Sequence, residues 1–98
     1  MDAADAVSAA RGTRPVAFVD VRTAPRGGIA GAIHMPLAEA NMRVSELPPD
    51  QLVVVFCDDG TLSARAASFF RERGMEDTFW IGGGLGAFRA AGGRTEAP

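Results

Sequence analysis

The sequence predicts an α/β fold in which a central parallel sheet of roughly four to five strands carries helices on both faces. Three observations predict it. Short apolar runs rich in Val, Ile and Phe, at residues 16–21, 51–56 and 78–81, alternate with segments of helical character. The runs are near-continuously apolar, the pattern of strands buried on both faces. Glycine and proline clusters punctuate the boundaries, as at Pro48-Pro49 and Gly82-Gly83-Gly84.

Each element follows from its residues. Residues 2–10 are alanine-rich with a weak helical pattern, and Asp2 or Asp5 is placed to cap it; Arg11-Gly12-Thr13-Arg14-Pro15 breaks it. Residues 16–21 read as a buried strand. Residues 22–29 form a loop with Pro25 and Gly27-Gly28 as breakers. Residues 32–35 are a short apolar segment closed by Pro36, read as a second strand. Residues 37–47 are a helix or irregular helical turn, ended by Pro48-Pro49-Asp50. Residues 51–56, β-branched and bounded by turn residues, are the clearest strand. Residues 63–73 form the clearest helix, with Ser63 as N-cap, Gly74 as the C-terminal stop, and Ala66, Phe69 and Phe70 on one apolar face. A strand at 78–81, the glycine triplet and a helix at 85–91 follow. Gly92-Gly93 ends that helix, and residues 94–98 are a loose polar tail.

Length and composition narrow the function. A chain of 98 residues is one domain, large enough for a core without cross-links. A single cysteine makes no internal disulfide. The start, Met1-Asp2-Ala3-Ala4-Asp5, is acidic and lacks an apolar leader, and no stretch reaches membrane-spanning length. A cytoplasmic setting is expected, with no membrane partner. The net charge of −2, and ten basic residues that are all scattered arginines, argue against nucleic acid. One Cys and one His without clustered partners make no metal site, and no cofactor is expected.

The most informative residue is that cysteine, Cys57. It stands where the apolar run Leu52-Val53-Val54-Val55-Phe56 stops and a loop, Asp58-Asp59-Gly60-Thr61-Leu62-Ser63, leads into the helix. A thiol at a strand end ahead of a helix N-terminus faces unpaired N–H groups and a partial positive charge, both of which favour anionic sulfur. A solvent-reachable, reactive thiol is expected. The plainer alternative is a buried structural cysteine.

Four segments resemble the rhodanese-like domain, a family of single-cysteine sulfurtransferases. They are Asp20-Val21-Arg22 at the end of the first strand; residues 27–37, Gly-Gly-Ile-Ala-Gly-Ala-Ile-His-Met-Pro-Leu; residues 53–63, the strand and cysteine loop; and residues 80–92, a closing glycine motif with Phe88 where the family carries tryptophan. The resemblance covers residues 16–92. It implies a sulfur carrier in which Cys57 is the persulfide-forming nucleophile and Asp58, Asp59, Gly60, Thr61, Leu62 and Ser63 form the active-site loop, their amides curling around the sulfur. It also implies a small sulfur donor or protein persulfide donor and a thiol acceptor. The family includes binding-only members, so a non-catalytic protein-binding or redox-sensing module is the rival.

The sequence departs from the family pattern. The loop form Cys-x-x-Gly-x-Arg keeps Gly60 and Ser63 but places Leu62 where the arginine stands. Two aspartates follow the cysteine, the stretch between Arg22 and Gly27 is short and lacks the usual glutamate–aromatic pair, and Gly28 replaces a histidine. An arginine there would hold an anionic donor such as thiosulfate by forked hydrogen bonds, which Leu62 cannot do, so thiosulfate is expected to be a poor donor. Phosphatase chemistry is rejected, because a Cys-x5-Arg loop would need arginine at Ser63. Asp20 and Arg22 are read as structural near the site, Asp20 taking backbone N–H groups or Arg22 at the carboxyl edge of the sheet. His34 is read as a packed or surface side chain, Trp80 and Phe88 as core or pocket rim, and the glycine triplet as a tight turn beside the cysteine loop.

Overall fold

The computed structural model describes residues 1–24 and 26–97. Pro25, read as a loop breaker, and Pro98, the end of the tail, lie outside the described residues. The elements are α1 (Ala3–Arg11), β1 (Val16–Asp20), β2 (Ile33–His34), α2 (Ala40–Arg43) flanked by 3-10 turns at Leu37–Glu39 and Val44–Glu46, β3 (Leu52–Phe56), α3 (Thr61–Glu72), β4 (Thr78–Trp80) and α4 (Gly84–Ala90). The strands form one parallel sheet of four in the order β2-β1-β3-β4. The α/β class and the parallel sheet are as expected from the sequence.

The sheet separates two apolar clusters, one under each helical layer. On one face Val19, Val53 and Val55 pack with Ala66, Ala67 and Phe70 of α3 and with Ala40 and Leu47. On the other, Phe18, Val54 and Phe56 pack with Ala6 and Val7 of α1 and with Leu85 and Phe88 of α4. Strand side chains alternate between faces, so Cys57, one step past β3, falls on the α3 side with Val53 and Val55. Burial of a side chain such as Phe70 contributes about 1.5–3 kcal/mol. Among the described residues, no helix is long and apolar enough to cross a membrane.

Several boundaries differ from the sequence reading for identifiable reasons. Asp2 is the cap of α1, its carboxylate accepting the Asp5 N–H at 2.8 Å. The second strand is only two residues long, although the Met35 and Leu37 amides still donate to Asp20 and Val21 carbonyls at 2.8 and 3.2 Å. Pro36 between them has no N–H to extend the ladder. The helix placed at 63–73 begins two residues earlier, at Thr61, so Ser63 is not its N-cap; Gly60 is, with φ +95°. The stretch after α4, expected to be loose, is tied back where the Glu96 amide donates to the Gly28 carbonyl (2.8 Å) and Arg89 Nε donates to Thr95 Oγ1 (3.0 Å).

Strand order decides where a site can form. From β1 the chain moves to β2 on one side, and from β3 to β4 on the other. The crevice between the carboxyl ends of β1 and β3 is therefore the switch point of the sheet, where ligands bind in open parallel sheets. Register brings Asp20 opposite Phe56, and the Val21 amide donates to the Phe56 carbonyl at 3.1 Å. This places Arg22 beside the cysteine loop.

Candidate active site

The Cys57 sulfur takes the place that a capping side chain usually occupies at a helix start. It accepts hydrogen bonds from the Gly60 amide (3.2 Å) and the Ser63 amide (3.4 Å). The Thr61 amide turns instead to Asp59 Oδ1 at 2.9 Å. Two orphan amides of the first turn are thus satisfied by sulfur and carboxylate, which explains why α3 starts before Ser63. The Ser63 hydroxyl donates to the Gly60 carbonyl at 3.2 Å and lies 3.4 Å from the sulfur. Expectation and geometry therefore differ in detail: among the described residues, the amides of Gly60 and Ser63 are the ones that reach the sulfur, not the whole run from Asp58 to Ser63.

The glycine triplet packs against this loop. The Leu85 amide donates to the Cys57 carbonyl at 2.9 Å. A Cβ at Gly84 would lie 2.5 Å from Asp58 C and 2.6 Å from Asp59 N. Only glycine allows the two loops so close, and Gly84 also has φ +69°. The tight turn read from the sequence is present, and it packs directly against the cysteine loop.

Cys57 is buried, with 1% of its surface exposed. The sequence reading of a solvent-reachable thiol is corrected on this point. The side chain continues the inward face of β3 and packs in the cluster with Val21, Met35 and Ala66. Its polar face meets the amides and two acceptors, Ser63 Oγ and, at 3.9 Å, Asp59 Oδ1.

The electrostatic setting beside the cysteine loop is built around Arg22. Asp20 and Arg22 form a buried forked pair: Arg22 Nε donates to Asp20 Oδ1 at 3.0 Å and Nη2 to Oδ2 at 2.9 Å, with side chains 9% and 3% exposed. The Arg22 backbone amide adds a bond to Asp20 Oδ1 at 3.0 Å. The guanidinium's remaining arm reaches Asp58 Oδ1 at 3.3 Å, on a carboxylate that is otherwise 81% exposed. The hydrogen bond to Asp20 is the main reason the Arg22 guanidinium is held above its ordinary pKa, against the opposing effect of burial. The pairing of Arg22 with Asp20 was expected; the reach to Asp58 was not, because it depends on strand register between residues 36 apart. The Thr61 N–H holds the Asp59 carboxyl below the usual carboxylate range. A depressed folded-state value favours the charged form, so this cap is present at neutral pH and is lost only as pH falls through that lowered value.

The other candidates are placed as follows. His34 Nε2 lies 2.8 Å from the Arg22 carbonyl, a bond that requires the proton on Nε2. Phe88 is core and Trp80 is half-buried. Leu62 is 37% exposed and lines an open groove of about 610 Å³ with Val21, Thr23, His34, Leu37 and Glu39. Among the described residues, no three His, Cys, Asp or Glu side chains converge as metal ligands.

This arrangement has relatives. The rhodanese-like domain model matches residues 3–91, which takes in α1 as well as the motifs noted above. A sulfurtransferase of Allochromatium vinosum is 32% identical over 83 residues, 82% of this chain and 78% of that protein. A rhodanese-related protein of Thermoplasma volcanium superposes with a TM-score of 0.87 at 25% identity, covering 100% of this chain and 97% of that one. The rhodanese-like domain of an Anabaena protein gives 0.86 at 29% identity, covering 100% and 78%. The parallel sheet, the cysteine at its carboxyl edge and a family match across nearly the whole chain lead to one assignment: the chain belongs to the rhodanese-like domain family.

Proposed function

We propose that this chain transfers sulfur through a persulfide on Cys57. The observation that carries the reading is the sulfur's setting, with two main-chain N–H groups at 3.2 and 3.4 Å converging on it at a helix start. Such donors stabilise the thiolate that must attack and later leave. The family and the named sulfurtransferase relative support sulfur transfer as the general activity.

In the first step the Cys57 thiolate attacks the outer sulfur of a donor persulfide. A new S–S bond forms, the donor's S–S bond breaks, and the electron pair leaves on the donor thiolate. An acceptor thiolate then attacks the outer sulfur on Cys57, and Cys57 departs as a thiolate into the Gly60 and Ser63 amides. Before the first step the thiol proton has Ser63 Oγ and Asp59 Oδ1 as its nearest acceptors. Asp59, being exposed, passes that proton to water.

The test is intact-mass spectrometry after incubation with a low-molecular-weight persulfide. Gain of one sulfur atom, lost in Cys57→Ser, is the expected result; an unmodified wild-type chain refutes the reading. The burial of Cys57 is the observation that favours the rival, a non-catalytic binding or redox-sensing module, which predicts no adduct.

Thiosulfate is a poor donor in this reading. Three carboxylates, Asp20, Asp58 and Asp59, are gathered near the site with one guanidinium, and Leu62 offers no fork to a dianion. Charge-assisted hydrogen bonds contribute about 1.5–3 kcal/mol, so Leu62→Arg is expected to raise kcat/KM for thiosulfate by roughly tenfold or more. Steady-state assays with thiosulfate and cyanide check this, and an unchanged or lower value for Leu62→Arg contradicts it.

A further inference from the structure

We infer that the surface beside Cys57 docks a protein donor that carries its persulfide next to a basic residue, with an apolar residue close by. This inference rests on the persulfide reading of Cys57 and specifies the donor. Two grooves meet at Leu37. The larger, about 610 Å³, runs along Val21, Thr23, His34, Pro36, Leu37 and Leu62, with Glu39 at its edge. The smaller, about 260 Å³, is lined by Leu37, Ala40, Asn41, Arg65 and Phe69. Leu62, Arg65 and Phe69 are spaced three and four residues apart, so α3 presents them along one stripe joining the cysteine loop to the second groove. A small sulfur donor has no use for so long a surface, whereas a polypeptide fills it with successive side chains.

The charge pattern selects the partner's chemistry. Among the described residues, no Lys or Arg lines the larger groove; its ionisable residues are His34, occupied by the Arg22 carbonyl, and Glu39, bonded to Arg43 at 3.2 Å. The loop at its end carries Asp58 and Asp59; among the described residues, the ion pair made to it is the one from Arg22 to Asp58, and Arg22 already serves Asp20. A lysine or arginine beside the donor cysteine complements this end of the surface. The same cation makes the donor's sulfur a better leaving group, because a lower thiol pKa speeds departure. An apolar residue nearby covers the exposed Leu62 and the half-buried Leu37. Arg65, in the second groove, suits an acidic residue farther along the partner.

Short synthetic peptides, each with one cysteine persulfide, test this on the intact chain. One flanks the cysteine with lysine and places leucine nearby; the others substitute glutamate for the lysine or glycine for the leucine. Glutathione persulfide is the small-donor reference. The rate of sulfur gain on Cys57 is read by mass spectrometry and divided by the same donor's rate with N-acetylcysteine, which removes intrinsic leaving-group differences. The lysine–leucine peptide is expected to load Cys57 about tenfold faster than the glutamate peptide, with the ratio falling toward one in molar salt. Leu62→Ser is expected to erase the advantage of leucine over glycine. Peptide rates within twofold of one another, or a glutathione persulfide rate equal to the best peptide, overturn the docking inference while leaving Cys57 as a sulfur carrier. If no donor loads Cys57, the persulfide reading and this inference fall together.

Discussion

Gly84→Ala is expected to destabilise the fold by about 3 kcal/mol or more, lowering Tm by roughly 12 °C or more for a domain of this size. Two costs combine. A non-glycine residue at φ +69° is strained, and its Cβ meets the backbone of Asp58 and Asp59 rather than a flexible side chain. The loop that holds Cys57 must move to make room. Sulfur loading on Cys57 is expected to fall as well, because the Gly60 and Ser63 amides depend on that loop's position. Gly86 is the matching control. It lies within the same helix, and a Cβ there meets nothing within 4 Å. Gly86→Ala is expected to gain about 0.5–1 kcal/mol from helix propensity and to leave sulfur loading intact. Thermal melts of both variants decide the matter; a Gly84→Ala protein that melts within 2–3 °C of the parent, where ~1 kcal/mol is worth roughly 4–8 °C, would show that the loops separate without cost.

What could be read from the residues, and what could not, divides along the range of the interactions. The strand at Leu52–Phe56 and the helix after it were legible because β-branched density, apolar spacing and the Gly74 stop are local signals. The position of Cys57 at the strand end was legible for the same reason. The start of α3 was misplaced because Ser63 looks like a cap, while the sulfur six residues earlier satisfies the Ser63 amide. Burial of the thiol was not legible either. It follows from the phase of β3, which sends Cys57 to the α3 face among Val21, Met35 and Ala66. The link from Arg22 to Asp58 needs parallel register between β1 and β3, which no local pattern encodes.

Arg22→Met is expected to cost about 3–5 kcal/mol, among the largest effects of any single substitution outside the core. The reason is not the strength of the ion pair but what remains when half of it is removed. Asp20 is 3% exposed at its side chain and, among the described residues, is left with the residue-22 backbone N–H as its donor. A carboxylate in that position is left buried without its counter-charge. Replacing both partners, as in Asp20→Leu with Arg22→Met, removes the stranded charge and is expected to be less destabilising than Arg22→Met alone, since apolar replacement of a buried pair is often near neutral. Asp58→Asn weakens the bond from Arg22 to the solvent-exposed Asp58 side chain and is expected to change stability by less than about 1 kcal/mol. Urea unfolding of the three variants gives the comparison. A double variant at least as unstable as Arg22→Met would mean that the pair itself, rather than the orphaned charge, holds the ends of β1 and β3 together. The contrast matters for chemistry too: Arg22 is anchored by Asp20 in the interior and reaches the cysteine loop with one arm, so it positions Asp58 while the fold bears the cost of keeping it there.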